Sequence, residues 1–362
     1  MKKHLSLAVR LIVSVGILAY LFNGIFRKEA AEYFVAQNID PNTLTWWERT
    51  QVFWTVGPSA LWDVFRGMNL WWFAAAIACF GGVCLCGTVR WRMILHAQGL
   101  MLGFWRTGSI FLIGHFFNAF MLGATGGDVV KALYAAHETH HKKAEAVSTV
   151  LVDRLIGLMG LLLLALAMMA LFAGRVMADE RLRWFAQVTA LLVAGTVGVT
   201  VAMIWPGWTR RMPGLWQWTN RLPKIDVLRR MLDAYRKVAT KPDLLFKTIF
   251  LSLAVHILVI IGILCVARGL DIHTVNGLPD YLLCLPVINT VSAMPISISG
   301  LGVREAMYAE MFRPVGVPES QAVALSLLGF LVGTAWSVVG GFFFLTHRRD
   351  LPPATEMAVA NE

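Results

Sequence analysis

Long apolar windows separated by short polar stretches dominate the chain. Residues 5–22, 70–89, 155–173, 185–205, 244–267 and 320–346 each approach or exceed the roughly 17–25 residues that a helix needs to cross a bilayer. Two shorter apolar stretches, about 107–123 and 281–296, run into glycine-rich turns. Grouping of this kind argues against one large buried core. It predicts an all-α, polytopic integral membrane protein with about six spanning helices and two re-entrant segments.

Composition agrees with the pattern. Of 362 residues, 57% are hydrophobic and 15% charged, against about 45–50% and about 25% in soluble domains. Mean hydropathy is +0.63. A cytosolic enzyme and a disordered scaffold are both excluded. Cys79, Cys84, Cys86, Cys265 and Cys284 all lie in apolar windows without metal-ligand or disulfide spacing, and read as small core residues. Residues 5–22 follow two lysines as a signal peptide would, yet no small-x-small site closes them. A retained first helix is expected.

The net charge of +10 would suggest nucleic acid in a soluble protein. Here its distribution reports topology, and no nucleic-acid partner is expected. With Lys2, Lys3 and Arg10 in the cytoplasm and both short stretches re-entrant, 22 of the 32 Lys and Arg fall inside. The positive-inside rule is then satisfied. Forcing the short stretches to span would put the basic 206–243 loop on the other side. A bacterial inner-membrane protein with both termini cytoplasmic is expected.

The segments on either side of the middle loop superimpose when Gly126 is set on Gly300. Gly126-Gly-Asp-Val-Val-Lys-Ala-Leu-Tyr-Ala135 then falls on Gly300-Leu-Gly-Val-Arg-Glu-Ala-Met-Tyr-Ala309, with Gly, Val, Ala, Tyr and Ala shared. The same shift pairs the long windows, the short stretches, and Glu145 with Glu319. Since the charge assignment runs the two halves in opposite directions, the chain is expected to be an inverted-topology repeat. Such repeats place substrate sites near the midplane, at broken or re-entrant helices. Five regions follow: 1–69, a first helix and an extracytoplasmic Trp-rich loop; 70–173, repeat one; 174–243, a peripheral helix and basic loop; 244–346, repeat two; and 347–362, a cytoplasmic tail. Trp46, Trp47, Trp54, Trp62, Trp71 and Trp72 suit a headgroup belt. The basic loop, helix-like near 225–240, suits contact with anionic lipid or with a cytoplasmic protein.

Two turns hold the candidate chemistry. Gly123-Ala-Thr-Gly126-Gly127 precedes Asp128 and Lys131, and Pro295-Ile-Ser-Ile-Ser299-Gly300-Leu-Gly302 precedes Arg304 and Glu305. A helix N-terminus offers free N–H groups and partial positive charge, and so favours phosphate or carboxylate. Two anion sites are predicted, one per leaflet. The plainer alternative is that the glycines only permit a tight turn, with Asp128 and Glu305 as ion-pair partners of Lys131 and Arg304. Arg90, Arg92, Asp153 and Arg154 lie near the inner ends of the windows, where snorkelling to phosphates is the default. Arg154 joins the substrate-binding candidates on that ground. His115, Asn118, Asn289 and Pro295 are candidates to line a cavity, and His115, Asp128 and Glu305 to carry protons. His137, Glu138, His140 and His141 read as a solvated turn rather than a metal site. No Walker A, zincin, nucleophile-elbow or Rossmann pattern appears in a suitable context. No catalytic residue, metal or cofactor is assigned, and the expectation is a protein that is not an enzyme.

These blocks resemble the membrane domain of the lysylphosphatidylglycerol synthase/flippase superfamily, including its stand-alone members. The likeness rests on Arg90-Trp-Arg92, His115-Phe-Phe-Asn118, Gly126-Gly-Asp128-Val-Val-Lys131, Val152-Asp-Arg154-Leu and Pro295 through Glu305. It covers about 70–345. The family usually has Arg where this chain has Lys131, and a Pro near Met121-Leu-Gly123. The resemblance implies a flippase for aminoacylated phosphatidylglycerol, with transfer chemistry in a separate C-terminal domain that finds no match in these residues. Other stand-alone relatives are tied to hopanoid or polyprenyl-lipid pathways. Together these readings give a flippase for an anionic or aminoacylated phospholipid, or a related lipid-linked substrate. Its movement is downhill or coupled to an ion gradient. The expected partners are membrane lipids, with a homodimer and a synthase partner left open. The alternatives are a non-transporting partner of a synthase and a membrane-embedded transferase.

Overall fold

The computed structural model describes residues 37–120, 126–139, 143–204, 225–293 and 302–346, with single positions between 23 and 34. The expected helix at 5–22, both glycine-rich turns up to Thr125 and Leu301, most of the basic loop and the C-terminal tail lie outside the described residues. Every regular element described is a helix. In chain order these are α1 (Trp46–Arg66), α2 (Leu70–Ala97), α3 (Phe104–Phe120) and α4 (Gly126–Glu138). There follow α5 (Lys143–Leu171), α6 (Ala173–Ala178), α7 (Glu180–Ile204) and α8 (Ile225–Ala239). The chain then forms α9 (Pro242–Gly269), α10 (Leu278–Ser292), α11 (Val303–Phe312) and α12 (Glu319–Thr346).

Helices α2, α5, α7, α9 and α12 are each long and apolar enough to cross a membrane. They correspond to the last five of the six windows, and the chain is an all-α polytopic membrane protein. Leu191, Phe246, Phe250, Leu331 and Phe342 are among many large apolar side chains left exposed on them. Such a surface suits lipid and not water. Helix α1 is set by a capping box at Thr45 and Glu48: Thr45 N–H donates to Glu48 Oε2 (2.8 Å), and Glu48 N–H to Thr45 Oγ1 (3.4 Å). The Thr45 N–H, and the Thr45 hydroxyl donating to the same Glu48 Oε2 (2.8 Å), hold the Glu48 carboxyl below its ordinary pKa. Trp46, Trp47, Trp54 and Trp62 are exposed along this helix, as an interfacial segment requires.

Two helices run further than their apolar windows. The sequence stops the first window before Arg90 and starts the next after Arg154. In the structure α2 continues to Ala97 and α5 begins at Lys143, so Arg90 and Asp153 sit inside helices. Each neutralises the other, and the charge that ends a hydropathy window therefore does not end the helix.

With Gly126 set on Gly300, α2 to α5 fall on α9 to α12, and their ends agree to within one helical turn. Phe104 meets the first residue of α10, and Glu138 the last of α11. The chain also divides into two compact units. One comprises residues 81–120, 125–258 and 336–362. In it α3 packs on α4, α4 on α5, and α8 on α5 and α7. Gly82 of α2 faces Leu258 of α9, and Arg90 bonds Ser252, so these stretches run antiparallel. The other unit comprises 1–80, 121–124 and 259–335. There α10 packs on α11, and Phe53 and Phe65 of α1 lie against Ala309 and Val323. Asn69 N–H donates to Gly269 O (2.8 Å) and Phe80 lies on Gly262, so α2 and α9 are antiparallel here too.

Candidate functional site

The first site grows from the contact between α3 and α4. A Cβ at Gly127 would lie 1.9 Å from the Gly114 carbonyl oxygen and 2.6 Å from Asn118. Only glycine permits this approach. Asn118 Oδ1 accepts the Gly127 N–H at 2.9 Å, which satisfies one of the free amides at the start of α4. One turn on, the Lys131 side chain leaves α4 beside Gly114 and enters the protein interior, where Lys131 is 5% exposed.

There Lys131 Nζ donates to Asp153 Oδ2 of α5 at 2.9 Å, and Arg90 Nε of α2 to Asp153 Oδ1 at 2.8 Å. Arg90 also donates to Ser252 Oγ of α9 at 2.8 Å, and Ser252 donates to the Ile156 carbonyl. The Lys131 ammonium lies over the rings of Trp91 (4.1 Å) and Phe111 (4.7 Å). Trp91 is itself pinned by Nε1 donating to Thr149 Oγ1. A Cβ at Gly157 would lie 3.4 Å from the Arg90 guanidinium, in ordinary van der Waals contact. Beside this cluster Arg154 pairs with Asp128. Among the described residues Lys131 and Arg90 thus share the single carboxylate of Asp153, all on helices of one unit, and there the cations outnumber the carboxylates.

The second site lies at the start of α11. Gly302 has φ +82°, a left-handed conformation that glycine adopts without strain. Its N–H donates to Glu305 Oε2 at 2.6 Å. Glu305 is fully buried, and its Oε1 accepts Arg304 Nη2 at 2.5 Å and Ser326 Oγ of α12 at 3.0 Å. Arg304 Nε also donates to Ser326 Oγ (3.0 Å), and the guanidinium lies 4.8 Å from the Phe330 ring centroid. One cation meets one carboxylate, so this cluster is neutral.

The structure brings together Gly127, Asn118, Asp128, Lys131 and Arg154 in one unit, and Gly302, Arg304 and Glu305 in the other. Gly126 opens α4. His115 lies on α3, where its carbonyl accepts a bond from Ser337, and Asn289 lies half-buried on α10. Pro295, Ser299 and Gly300 lie outside the described residues, as do His140 and His141. Glu305 does pair with Arg304, but Asp128 pairs with Arg154 and leaves Lys131 to Asp153. Arg90 does not snorkel: it is 8% exposed and Asp153 5%. Arg90, Asp153, Ser252 and Ser326 were not among the predicted site residues. The signal available for Asp153 was a carboxylate inside an apolar run, which is too costly to stand without a cation. Glu138, read as part of a solvated turn, pairs with Arg106. Among the described residues no group of three His, Cys, Asp or Glu could hold a metal ion, and none of the five cysteines forms a disulfide.

Among the described residues the first cluster sets two cations on one carboxylate and the second sets one on one. A family model described as the lysylphosphatidylglycerol synthase TM region matches residues 44–341. No curated protein and no solved structure matches the chain. The match runs from just before α1 through most of α12 and contains both charged clusters. The chain belongs to the lysylphosphatidylglycerol synthase transmembrane-region family.

Proposed function

We propose that the protein is a flippase that moves a phosphate-bearing lipid, anionic or aminoacylated, between the leaflets of a bacterial inner membrane, and that it transports its substrate without converting it. The observation that carries this reading is the cation excess around Lys131. Buried charge within a membrane protein is costly and marks substrate pathways, and two cations, Lys131 and Arg90, on the one carboxylate of Asp153 call for a further anionic ligand. A lipid phosphate reaching the cluster competes with Asp153 for Lys131, so the carboxylate acts as a resident counter-ion that holds the site closed between substrates. Arg90, fixed by Ser252, keeps Asp153 in reach when Lys131 releases it.

The repeat supports transport over static binding. Equivalent helices α2 and α9 run antiparallel, as an inverted repeat requires, and such repeats commonly build alternating access. The α3–α4 and α10–α11 pairs serve in this reading as two re-entrant hairpins, one opening to each leaflet. Membrane lipids are the partners. With no ATP-binding pattern in the chain, movement runs downhill or with an ion gradient. The test is reconstitution in liposomes with tail-labelled phospholipids, reading how much signal an outer-leaflet quencher reaches. Exchange faster than in protein-free liposomes, dependent on headgroup, is the expected result. Exchange equal to protein-free liposomes for every headgroup tried, polyprenyl phosphates included, would reject the reading.

A further inference from the structure

A second feature of the molecule shares no residue with the Lys131 cluster. Helix α8 carries its apolar residues on one face, and Ala234, Tyr235, Val238 and Ala239 are buried against α5 and α7. Two polar bonds fix it. Gln98, just past the end of α2, donates Nε2 to the Ala234 carbonyl at 2.9 Å. The Tyr235 hydroxyl meets Thr200 Oγ1, near the end of α7, at 2.6 Å. Helix α8 therefore lies where three spanning helices terminate: the ends of α2 and α7 and the start of α5. Spanning helices end where the headgroup layer begins, so α8 rests at headgroup depth.

Between α8, the end of α2 and the first turns of α5 is a cavity of about 820 Å³, within the range of about 300–1,000 Å³ typical of ligand sites. Arg230, Arg236 and Lys237 line it from α8 together with Asp233, and Glu145 and Ser148 line it from α5. None of the five charged groups is bridged to another among the described residues. Opposite charges that share a cavity yet stay apart leave room for a ligand that has complements to both. The three cations suit a phosphate, which they would bind by charge-assisted bonds. The two carboxylates suit a hydrogen-bond donor on the same ligand, a hydroxyl or a primary ammonium.

We propose that this cavity is a binding site for the headgroup of an inner-leaflet phospholipid in which a phosphodiester is joined to a donor-bearing group, as in phosphatidylglycerol or phosphatidylethanolamine. Its depth selects a lipid over a soluble phosphate. Phosphatidylcholine fits poorly, because its trimethylammonium has no proton to give Glu145 or Asp233. The site is separate from the transport cluster, so its failure and the failure of the flippase reading are told apart by which variants lose which property.

The test is native mass spectrometry of the full chain extracted from phosphatidylcholine vesicles containing phosphatidylglycerol or phosphatidylethanolamine, counting retained lipids. Wild type is expected to retain either donor-bearing lipid over phosphatidylcholine. The double variant Arg230→Ala/Lys237→Ala should retain about twenty-five-fold less, since each basic residue contributes roughly a fivefold factor at a headgroup surface. Both side chains are exposed, so its melting temperature should match wild type, and the charge-preserving R230K/K237R should retain lipid. Glu145→Gln/Asp233→Asn should keep binding but lose discrimination against phosphatidylcholine. Equal retention of phosphatidylcholine by wild type, or unchanged retention by the alanine double variant, would overturn the site. Full displacement by inorganic phosphate would overturn its assignment to a lipid.

Discussion

The two charged clusters occupy related places in the repeat but differ in charge balance. At the first, Lys131 and Arg90 share Asp153, and the neighbouring Asp128–Arg154 pair leaves one positive charge over. At the second, Arg304 is matched by Glu305, which also caps its own helix through Gly302. Lys131 and Glu305 are equivalent positions, so one site of the repeat keeps a cation where its mate keeps an anion. In the proposed reading one cluster is therefore equipped to take a ligand and the other is satisfied from within. The comparison teaches that symmetry of helices need not extend to the charges they carry.

The comparison can be broken most severely at Asp153. Asp153→Asn leaves Arg90 and Lys131 buried together without a counter-ion and should cost about 3–5 kcal/mol, read as a large drop in melting temperature in detergent micelles. Glu305→Gln removes the charge partner of Arg304, while its amide oxygen can still accept the Gly302 N–H that caps α11. Because Arg304 keeps Ser326 and is partly exposed, the loss should be smaller, about 2–3 kcal/mol by the same measurement. Gly127→Ala forces α4 away from Gly114 and should cost about 1–3 kcal/mol. It should also alter cross-linking between cysteines placed on α3 and α4. Ser326→Ala loses two hydrogen bonds to charged groups, but the Arg304–Glu305 pair remains, and a change of about 1.5 kcal/mol is expected.

The spans were legible because apolar length is a property of the sequence alone. The matched spacing of helix ends in the two halves was legible too, from the shift that sets Gly126 on Gly300. The Arg304–Glu305 pair could be read because its members are adjacent. The partner of Lys131 could not: Asp153 lies 22 residues on, in another helix, and Asp128, three residues before Lys131 on the same helix, was the nearer choice. Arg90 was obscured for a related reason. A charge at the edge of an apolar window looks like the end of a span, and only the third dimension supplies the carboxylate that lets the helix continue.

The central claim is that Lys131 is the spare cation that meets the lipid phosphate. Lys131→Met leaves Arg90 and Asp153 as a matched pair, so the fold should persist while the anion site disappears. The most direct measurement is the rate of leaflet exchange in liposomes for wild type, Lys131→Met and Lys131→Arg, with the melting temperature of each recorded alongside. The account predicts that Lys131→Met melts close to wild type and exchanges lipid no faster than protein-free liposomes, while Lys131→Arg retains exchange. A folded Lys131→Met protein that moves lipid at the wild-type rate would contradict it.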